Sequence, residues 1–323
     1  MSKYSHMIVS DKDGTLLINK SVNNILAYAG KHNCLFVMAS GRTIADTNEI
    51  FKKAGVGIPH FTIGDNGAIV YDNKSHKTIQ RFNLKDDVIY KIIEKYFELG
   101  GKPQDLRYTN GENIFALNNP LNHNYYKNTS TIEYLNNISN IEDITKITLA
   151  GSKELMQNMA DFATQLDCTS DIGQTGFPSK LFNYYRLDVQ DKNATKGNAV
   201  TSLANHLGIK NFSCFGNGWN DLSMFKTALS SGNNAFVMSN APQDLLIELH
   251  NYIKTLDTKS RGKLNMIYSD DSRDTIQKHI HDCVASRKNP PSFRDSIKPS
   301  GQFTKLKFND VKNSTFSKED KSH

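Results

Sequence analysis

The sequence predicts an α/β protein in which a mainly parallel sheet is interrupted by an inserted α+β segment. Short apolar runs alternate with amphipathic helical stretches at both ends of the chain, a rhythm typical of βα units. Between residues 83 and 188 this rhythm changes, and strands and helices follow in a new order. A length of 323 residues with 38% hydrophobic residues allows about two domains. We therefore expect a core domain over 1–82 and 189–286 and an inserted domain over 83–188.

The first part of the core begins with an apolar strand and continues with two βα units. Its predicted elements are a strand over 7–10, a helix over 21–32, a strand over 34–39, a helix over 44–54 and a strand over 61–64. Two further strand-like runs, 68–72 and 78–82, flank the turn-rich stretch 73–77, which indicates a β-hairpin.

The inserted segment starts with a helix, because apolar residues between 88 and 99 recur at helical spacing before a Gly-Gly pair. Its remaining predicted elements are strands over 106–109, 113–117 and 146–150, a helix over 153–166 and a strand over 181–189. Thr195 is then placed to cap a helix over 196–206, which Gly208 closes. The last predicted elements are a strand over 212–215, a helix over 219–228, a strand over 235–238 and helices over 243–254 and 271–286.

The C-terminal part of the chain differs from the rest in charge. The formal net charge is +6, and all of the excess lies in residues 258–323, where 14 Lys and Arg stand against 8 Asp and Glu. From residue 287 the composition turns to Lys, Ser, Asn and Pro, which predicts a flexible basic tail over 287–323. Such a tail is either a solubilising segment or a binding segment for an anionic partner, such as a nucleic acid or an anionic membrane.

The composition favours a cytoplasmic location. The four cysteines lack the spacing of metal-binding or redox motifs, and no apolar run approaches the ~18 residues that span a bilayer. The first residues run directly into a strand, so we expect no signal peptide. Cys34 and Cys214 lie in or beside apolar strand-like runs, where we expect reduced, buried thiols, and a reducing, cytosol-like compartment follows from this cysteine usage.

Two carboxylates at the end of the first strand are the most informative feature of the chain. Asp11 and Asp13 follow an apolar run, and the alternation of side chains along a strand places them on the same side. Gly14 permits a sharp turn, and Thr15 adds a hydroxyl. Paired acids here suit a nucleophile, a general acid and base, and a divalent cation better than a solvated strand end.

Polar segments follow several predicted strands at one edge of the sheet. The segments are residues 11–15, Ser40-Gly41-Arg42, Lys196 at a helix start, and residues 216–221. In an open α/β sheet, ligands bind at the carboxyl ends of the strands. Carboxylates, a hydroxyl, an amine, backbone N–H groups and a possible metal ligand together suit a phosphoryl group in transfer.

In order along the chain, these segments resemble the four motifs of the haloacid dehalogenase (HAD) superfamily, specifically its Cof-like subclass II phosphatases with a large inserted cap. Asn66-Gly67-Ala68 and Asn240-Ala241-Pro242 are similar to two turns of that subclass, and the resemblance covers about residues 5–255. It implies a Rossmann-like, HAD-like core with an α+β cap domain. It also implies a Mg²⁺-dependent phosphomonoester hydrolase that acts on small phosphorylated metabolites such as sugar phosphates.

The resemblance further implies a role for each matching residue. Asp11 would form an aspartyl-phosphate, Asp13 would protonate the leaving oxygen, and Lys196 would offset charge and orient Asp11. The residues implied to bind the phosphoryl group are Ser40, Gly41, Lys196 and Asn220, the implied Mg²⁺ ligands are Asp11, Asp13 through its carbonyl, Asn217 and Asp221, and the possible substrate contacts are Arg42, Asn66 and Gly67. Asp13 must hold a proton near neutral pH, which the charges of Asp11 and Asp221 favour.

Two residues depart from the family's pattern. Asn217 stands where the family has a metal-ligating aspartate, which predicts weaker Mg²⁺ binding, and an ordinary Asn-Gly turn is the structural alternative. Lys12 stands between the two acids, where the family has an apolar residue, and by alternation we expect it to face away from both. The functional alternatives are a phosphomutase, a phosphotyrosine-type phosphoprotein phosphatase, and a weakened binding protein that acts through its basic tail.

Some expectations concern single side chains. Ser40 is a phosphate ligand, the cap of the next helix, or both. Trp219, the only tryptophan, is expected to pack against the sheet. Candidates for a pocket wall in the inserted domain, with a surface position as the alternative, are Tyr108, Asn110, Lys180, Tyr184 and Arg186.

Overall fold

The computed structural model describes residues 4–16, 18–117, 132–135, 142–174, 185–269 and 271–288. In chain order its strands are β1 (His6–Ser10), β2 (Cys34–Ala39), β3 (Phe61–Gly64), β4 (Ile69–Asp72), β5 (Lys77–Arg81), β6 (Leu106–Thr109), β7 (Ile114–Leu117), β8 (Ile132–Leu135), β9 (Lys146–Gly151), β10 (Cys168–Gln174), β11 (Tyr185–Asp191), β12 (Phe212–Gly216), β13 (Asn234–Met238) and β14 (Leu264–Ile267). Its helices are α1 (Val22–Lys31), α2 (Ile44–Lys53), α3 (Asp86–Glu98), α4 (Lys153–Gln165), α5 (Lys196–Leu207), α6 (Leu222–Ser230), α7 (Gln243–Thr255) and α8 (Arg273–Lys288). Two 3₁₀ turns, Asp65–Gly67 and Trp219–Asp221, follow β3 and β12.

The larger sheet has the strand order β14-β13-β12-β1-β2-β3-β4-β5. The strands from β14 to β3 are parallel, and β4 and β5 extend the sheet as an antiparallel hairpin. β1 lies between β12 and β2, so its carboxyl end has a neighbouring strand end on either side. This arrangement confirms the predicted parallel α/β core.

Both faces of the central strands β1 and β2 of the larger sheet are buried, which explains why these two strands are almost entirely apolar. Met7 and Val9 of β1 belong to one hydrophobic core, and Ile8 between them belongs to the other. Helices α5, α6 and α7 cover the first face, for example through Leu203. Helices α1, α2 and α8 cover the second face, for example through Ile276.

The smaller sheet has the strand order β10-β11-β9-β6-β7-β8, antiparallel except for the parallel pair β7 and β8. Helices α3 and α4 cover one face through side chains such as Ile92 and Met156. Because side chains alternate along a strand, polar residues of β6, β9 and β11 gather on the other face. They are Arg107, Thr109, Lys146, Thr148, Arg186, Asp188 and Gln190.

Most predicted elements lie within a few residues of the observed ones, but three strands were not predicted: β8, β10 and β14. The predicted helix over 219–228 is a 3₁₀ turn followed by α6. Positions 181–184 of one predicted strand lie outside the described residues, and β11 continues to Asp191. Thr195 caps α5 and Gly208 ends it in the left-handed conformation, as predicted.

The chain up to Cys283 forms one compact unit that includes both sheets, and the predicted division into a core and an inserted domain stays a prediction. Helix α8 extends to Lys288, two residues into the predicted tail, whose remainder, 289–323, lies outside the described residues. In the part of the chain that is described, no helix is long and apolar enough to cross a membrane.

Candidate active site

A buried lysine joins two of the predicted site residues. Asp11 directly follows β1, and its backbone N–H donates to the carbonyl of Phe215 at 2.8 Å. Lys196, the first residue of α5, places Nζ 2.6 Å from Oδ1 of Asp11 and 2.6 Å from Oδ1 of Asp221. All three side chains are buried. The structure thus brings together predicted residues from three separate segments of the chain.

Burial and mutual charge set the protonation of this trio. Burial raises the pKa of Asp11 to about 7 and the charge of Asp221 adds to this effect, while Lys196 opposes both. Burial also acts to lower the pKa of Lys196, but the charges of Asp11 and Asp221 outweigh it and raise that pKa above its ordinary value. Lys196 is therefore an ammonium at neutral pH. With both carboxylates ionised the trio carries a net negative charge, which a bound cation would compensate.

Asp221 fixes the loop that follows β12. Its Oδ2 accepts the backbone N–H groups of Asn217 and Gly218, each at 2.9 Å. A Cβ at Gly216 would lie 2.5 Å from the same oxygen, so the carboxylate folds back on the loop only because a glycine is there. One oxygen of Asp221 thus binds Lys196 and the other binds the loop. Direct metal ligation by Asp221 stays a prediction.

The side chain of Asn217 lies against the loop that carries the paired acids. The Thr15 hydroxyl donates to its Oδ1 at 3.3 Å. Gly14 has a φ of +79°, and a Cβ there would lie 2.3 Å from the Asn217 amide nitrogen. Asn217 lines one cavity together with Asp11 and Asp13. Carboxylate and amide oxygens are the donors that a hard cation such as Mg²⁺ prefers, so these residues fit the predicted metal.

Asp13 lies in a different environment from the predicted one. Arg42 donates from Nε to Oδ2 of Asp13 at 2.8 Å, and Lys12 forms an ion pair with the same carboxylate. Burial acts to raise the pKa of Asp13, but Arg42 and Lys12 outweigh it and lower that pKa to about 2. Two expectations are therefore wrong: Lys12 does not face away from Asp13, and Asp13 is not held protonated near neutral pH. Strand alternation ends with β1 at Ser10, and the following turn brings Lys12 to Asp13.

The segment after β2 is held by short-range hydrogen bonds. Ser40 is buried, and its Oγ accepts the backbone N–H of Arg42 at 3.1 Å. Thr43 is the N-cap of α2, so the helix-cap alternative for Ser40 is wrong. Gly41 lines the cavity, and its carbonyl accepts a hydrogen bond from Nζ of Lys146 at 2.5 Å. Phosphate binding by Ser40 and Gly41 stays a prediction.

Asn66 and Gly67 position other site residues. Asn66 has a φ of 53°, and its Oδ1 accepts a hydrogen bond from Nδ2 of Asn220 at 3.0 Å. Gly67 has a φ of +108°, and a Cβ there would lie 2.2 Å from the carbonyl oxygen of Thr195, the residue before Lys196. These two residues therefore hold the Asn220 loop and the start of α5. Their contact with substrate stays a prediction.

A cavity of about 870 Å³ lies between these loops and the polar face of the smaller sheet. The residues of that sheet that line it are Arg107, Thr109, Ile114, Lys146, Thr148, Asp171, Ile172, Gly173, Arg186 and Asp188. Arg186 was among the predicted wall residues. Tyr108 is instead buried in the apolar core, and Asn110 closes the turn before β7. Lys180 and Tyr184 lie outside the described residues.

The other charged residues of this wall were not predicted. Nζ of Lys146 lies 3.4 Å from Oδ1 of Asp65 and 3.9 Å from Oδ2 of Asp188, and Nε of Arg186 lies 3.6 Å from Asp188. Although burial acts to raise the pKa of Asp188, Arg186 and Lys146 lower it below its ordinary value. The sequence does indicate strands with one polar face here, because polar and apolar residues alternate with period two over 106–109, 146–149 and 185–190.

Trp219 also lines the cavity and is 40% exposed. The expectation that it packs against the sheet is therefore wrong, because it stands on the 3₁₀ turn beyond the end of β12. As the only tryptophan of the chain, it provides a fluorescence signal located in this cavity.

The sequence and the fold of the chain are similar to those of other proteins. The sequence model of the haloacid dehalogenase-like hydrolases matches residues 8–262. A protein of Buchnera aphidicola subsp. Baizongia pistaciae named "Putative phosphatase" is 27% identical over 235 residues, which cover 68% of this chain and 82% of that protein. The solved structure of a haloacid dehalogenase-like hydrolase from B. subtilis gives a TM-score of 0.64 at 19% identity, over 84% of this chain and 99% of that one. The HAD subclass IIB sugar phosphatase BT4131 gives a TM-score of 0.59 at 19% identity, over 86% and 99%.

Proposed function

The chain belongs to the haloacid dehalogenase-like hydrolases, and we propose that it is a Mg²⁺-dependent phosphatase for small phosphomonoesters. The observation that carries the proposal is the contact between Lys196 and Asp11. A buried ammonium 2.6 Å from a buried carboxylate orients that carboxylate beside a cavity of about 870 Å³. The phosphatase names of a sequence relative and of a structural neighbour support the same reaction.

The proposed reaction has two steps. Because Lys196 binds Oδ1 of Asp11, Oδ2 attacks phosphorus, the ester P–O bond breaks, and the leaving oxygen takes a proton from Asp13. A water molecule then attacks the phosphorus of the aspartyl-phosphate while Asp13 takes its proton. The bond between Asp11 and phosphorus breaks, and inorganic phosphate leaves. Lys196 stabilises the negative charge in both steps.

Asp13 needs a proton for the first of these steps, whereas Arg42 and Lys12 hold its carboxylate ionised in the ligand-free protein. A phosphoryl dianion in the cavity competes for both cations. It therefore weakens their contacts with Asp13 and adds a nearby negative charge. Both changes raise the pKa of Asp13, the direction its role as an acid requires.

The residues that would hold Mg²⁺ are Asp11, Asn217, Asp221 and the carbonyl of Asp13. The ion would supply positive charge to the phosphoryl oxygens. Asn217 offers an oxygen without a charge, so the affinity for Mg²⁺ is expected to be lower than with an aspartate at this position.

We propose small phosphorylated metabolites, sugar phosphates above all, as the substrate class. The wall opposite the catalytic loops carries cationic groups at Arg107 and Lys146 and carboxylates at Asp171 and Asp188. A cavity wall that carries both hydrogen-bond donors and hydrogen-bond acceptors suits a ligand with several hydroxyl groups. The sugar phosphatase among the structural neighbours supports this class.

The proposal is tested by the release of inorganic phosphate from an aryl phosphate and from a panel of sugar phosphates, with Mg²⁺ or with a chelator. The Asp11→Asn variant is expected to lose at least about a thousandfold in rate, because it lacks the nucleophile. Asp87→Asn is the matched control, since Asp87 is an exposed carboxylate on α3. Equal rates for the wild type and Asp11→Asn would refute the proposal.

The same assay separates the alternative functions. A phosphomutase would move the phosphoryl group between positions of the substrate with little release of phosphate. A marked preference for phosphotyrosine peptides over every sugar phosphate would overturn the proposed substrate class but leave the catalytic residues in place.

A further inference from the structure

A second cluster of metal-ligand side chains lies at the opposite end of β1 from the candidate active site. His6 begins β1, Ser213 lies on the neighbouring strand β12, and His279 and Cys283 lie on α8. Asp11 follows the other end of the same strand, so His6 and Asp11 are separated by about 16 Å along it. The cluster is therefore distinct from the catalytic cavity.

The polar atoms of this cluster converge on one point. The hydroxyl of Ser213 lies 3.1 Å from Nε2 of His6 and 2.7 Å from Nε2 of His279. Sγ of Cys283 lies 3.5 Å from Nε2 of His279 and 3.9 Å from Nε2 of His6. One ligand atom each from His6, His279 and Cys283 lies within 4.8 Å of the other two.

These distances are close to those of a tetrahedral metal centre. Zn–N bonds of about 2.0 Å and Zn–S bonds of about 2.3 Å place the ligand atoms of such a centre about 3.3–3.6 Å apart. The spacing between Cys283 and His279, 3.5 Å, already has this value, whereas the other ligand pairs, at up to 4.8 Å, must be brought closer by side-chain rotation. His279 and Cys283 are four residues apart on α8 and so share one face of the helix, which places both ligands toward β1.

The surroundings also favour a metal ion. The rings of Phe215 and Phe236 pack at 6.1 and 4.7 Å from the ring of His279, and His6 is buried. His279 and Cys283 are half-buried beside this apolar wall, so two imidazoles and a thiol stand together where few other polar groups compete for a metal ion. Nitrogen and sulfur ligands select Zn²⁺ over a hard cation such as Mg²⁺.

We propose that His6, His279 and Cys283 bind one Zn²⁺ ion, with the Ser213 hydroxyl or a water molecule as the fourth ligand. The ion would join α8 to the first strand of the sheet. Binding converts the Cys283 thiol to a thiolate and releases its proton to the buffer. The cysteine spacing gave no hint of this site, because His6 is far from the other two ligands in sequence.

The test uses the full chain, free of affinity tag and treated with a chelator, with Co²⁺ as a spectroscopic probe of the site. The wild type is expected to show a thiolate-to-cobalt absorption band, which Zn²⁺ removes by displacing cobalt. Co²⁺ bound by the oxygen ligands of the candidate active site gives no such band, so the band reports the Cys283 site alone. Cys283→Ser is expected to lose the band. Cys168→Ser is expected to keep it, since Cys168 lies on β10 of the smaller sheet. Absence of the band in the wild type would overturn the proposal, whether or not any variant folds.

A second readout is thermal stability. Free Zn²⁺ at a hundredfold excess over its Kd is expected to raise the Tm of the wild type and of Cys168→Ser by about 5 °C. His279→Gln is expected to show no such rise. An equal rise in His279→Gln and the wild type would place the zinc elsewhere and contradict the assignment.

Discussion

Burial of the charged Lys196 side chain has an unfavourable desolvation free energy. The two carboxylates around it explain how the fold tolerates this burial. Its Nζ lies 2.6 Å from both Asp11 and Asp221, so the ammonium has two charged partners in place of water. Removal of one partner from such a cluster is strongly destabilising, because it leaves the remaining buried charge without compensation. The trio is therefore a single electrostatic unit.

This unit predicts a coupling between positions 196 and 221. Lys196→Met should reduce the free energy of unfolding by about 3–5 kcal/mol, because it leaves two buried carboxylates without a cation. Asp221→Asn should destabilise the wild type but recover part of the loss when it is added to Lys196→Met. Urea unfolding of the four proteins measures this. The same loss from Asp221→Asn in both backgrounds would show that the two residues act independently.

Asn217 is the one side-chain ligand of the proposed Mg²⁺ site that carries no charge. Asn217→Asp adds a carboxylate beside Asp11 and should tighten Mg²⁺ binding at least about tenfold, since close opposite charges in a partly buried site attract by a few kcal/mol. Trp219 fluorescence during a Mg²⁺ titration reports this binding. Asn220→Asp is the matched control, because it adds the same charge on the same loop. If Asn217→Asp has the same Mg²⁺ affinity as the wild type, residue 217 is not a metal ligand.

At the scale of elements, the turn after β3 supports the start of α5. Gly67→Ala combines a φ of +108° with a Cβ only 2.2 Å from the Thr195 carbonyl oxygen. Gly100→Ala is the matched control, since Gly100 has a φ of +86° and open space around it. Gly100→Ala should lower the free energy of unfolding by about 1–2 kcal/mol, and Gly67→Ala should lower it by about 1–3 kcal/mol more. If chemical unfolding gives the same loss of unfolding free energy for both variants, the short distance between Gly67 and the Thr195 carbonyl does not restrict residue 67.

The β4–β5 hairpin should give a pH-dependent contribution to stability. Burial acts to raise the pKa of Asp72, but hydrogen bonds from Ser75 and from the backbone N–H of Lys74 lower it below 3.8. A lowered pKa in the folded state stabilises the protein above the unfolded-state pKa, and this contribution disappears as the pH falls through the folded-state pKa. Because solvent screens this largely exposed carboxylate, Asp72→Ala should cost at most about 1 kcal/mol near neutral pH and progressively less below about pH 4.

Urea unfolding of the wild type and Asp72→Ala between neutral and acidic pH measures this difference. Asp161→Ala, which removes an exposed carboxylate from α4, controls for the loss of charge. A difference that stays constant down to acidic pH would show that the carboxylate of Asp72 does not stabilise the turn.

At the scale of the whole molecule, the central strands of the larger sheet were predictable because they are apolar on both faces and alternate with amphipathic helices. β10 was missed because its residues are mostly polar and one of them, Asp171, faces the cavity. β14 was missed because it is a four-residue strand at the sheet's edge, and its residues are mostly half-buried. The spacing of apolar residues in a sequence reflects which residues are buried. Strands that are only partly buried therefore cannot be recognised from it.

The candidate site was predictable only in part. The convergence of Asp11, Lys196 and Asp221 follows from their positions at one edge of a parallel sheet. The pairing of Asp13 with Lys12 and Arg42 depends on the turn after β1, which strand alternation does not describe. The charged wall of the cavity depends on which face of the smaller sheet meets the catalytic loops, and no single segment of the sequence carries that information.

The identity of the nucleophile is the central claim, and trapping the intermediate tests it most directly. Asp13→Asn should still react with an aryl phosphate, whose leaving group needs no proton, but should hydrolyse the intermediate slowly. Rapid acid quench followed by peptide mass spectrometry should then find one phosphoryl group on Asp11. A phosphoryl group on another residue, or none during turnover, would contradict the account.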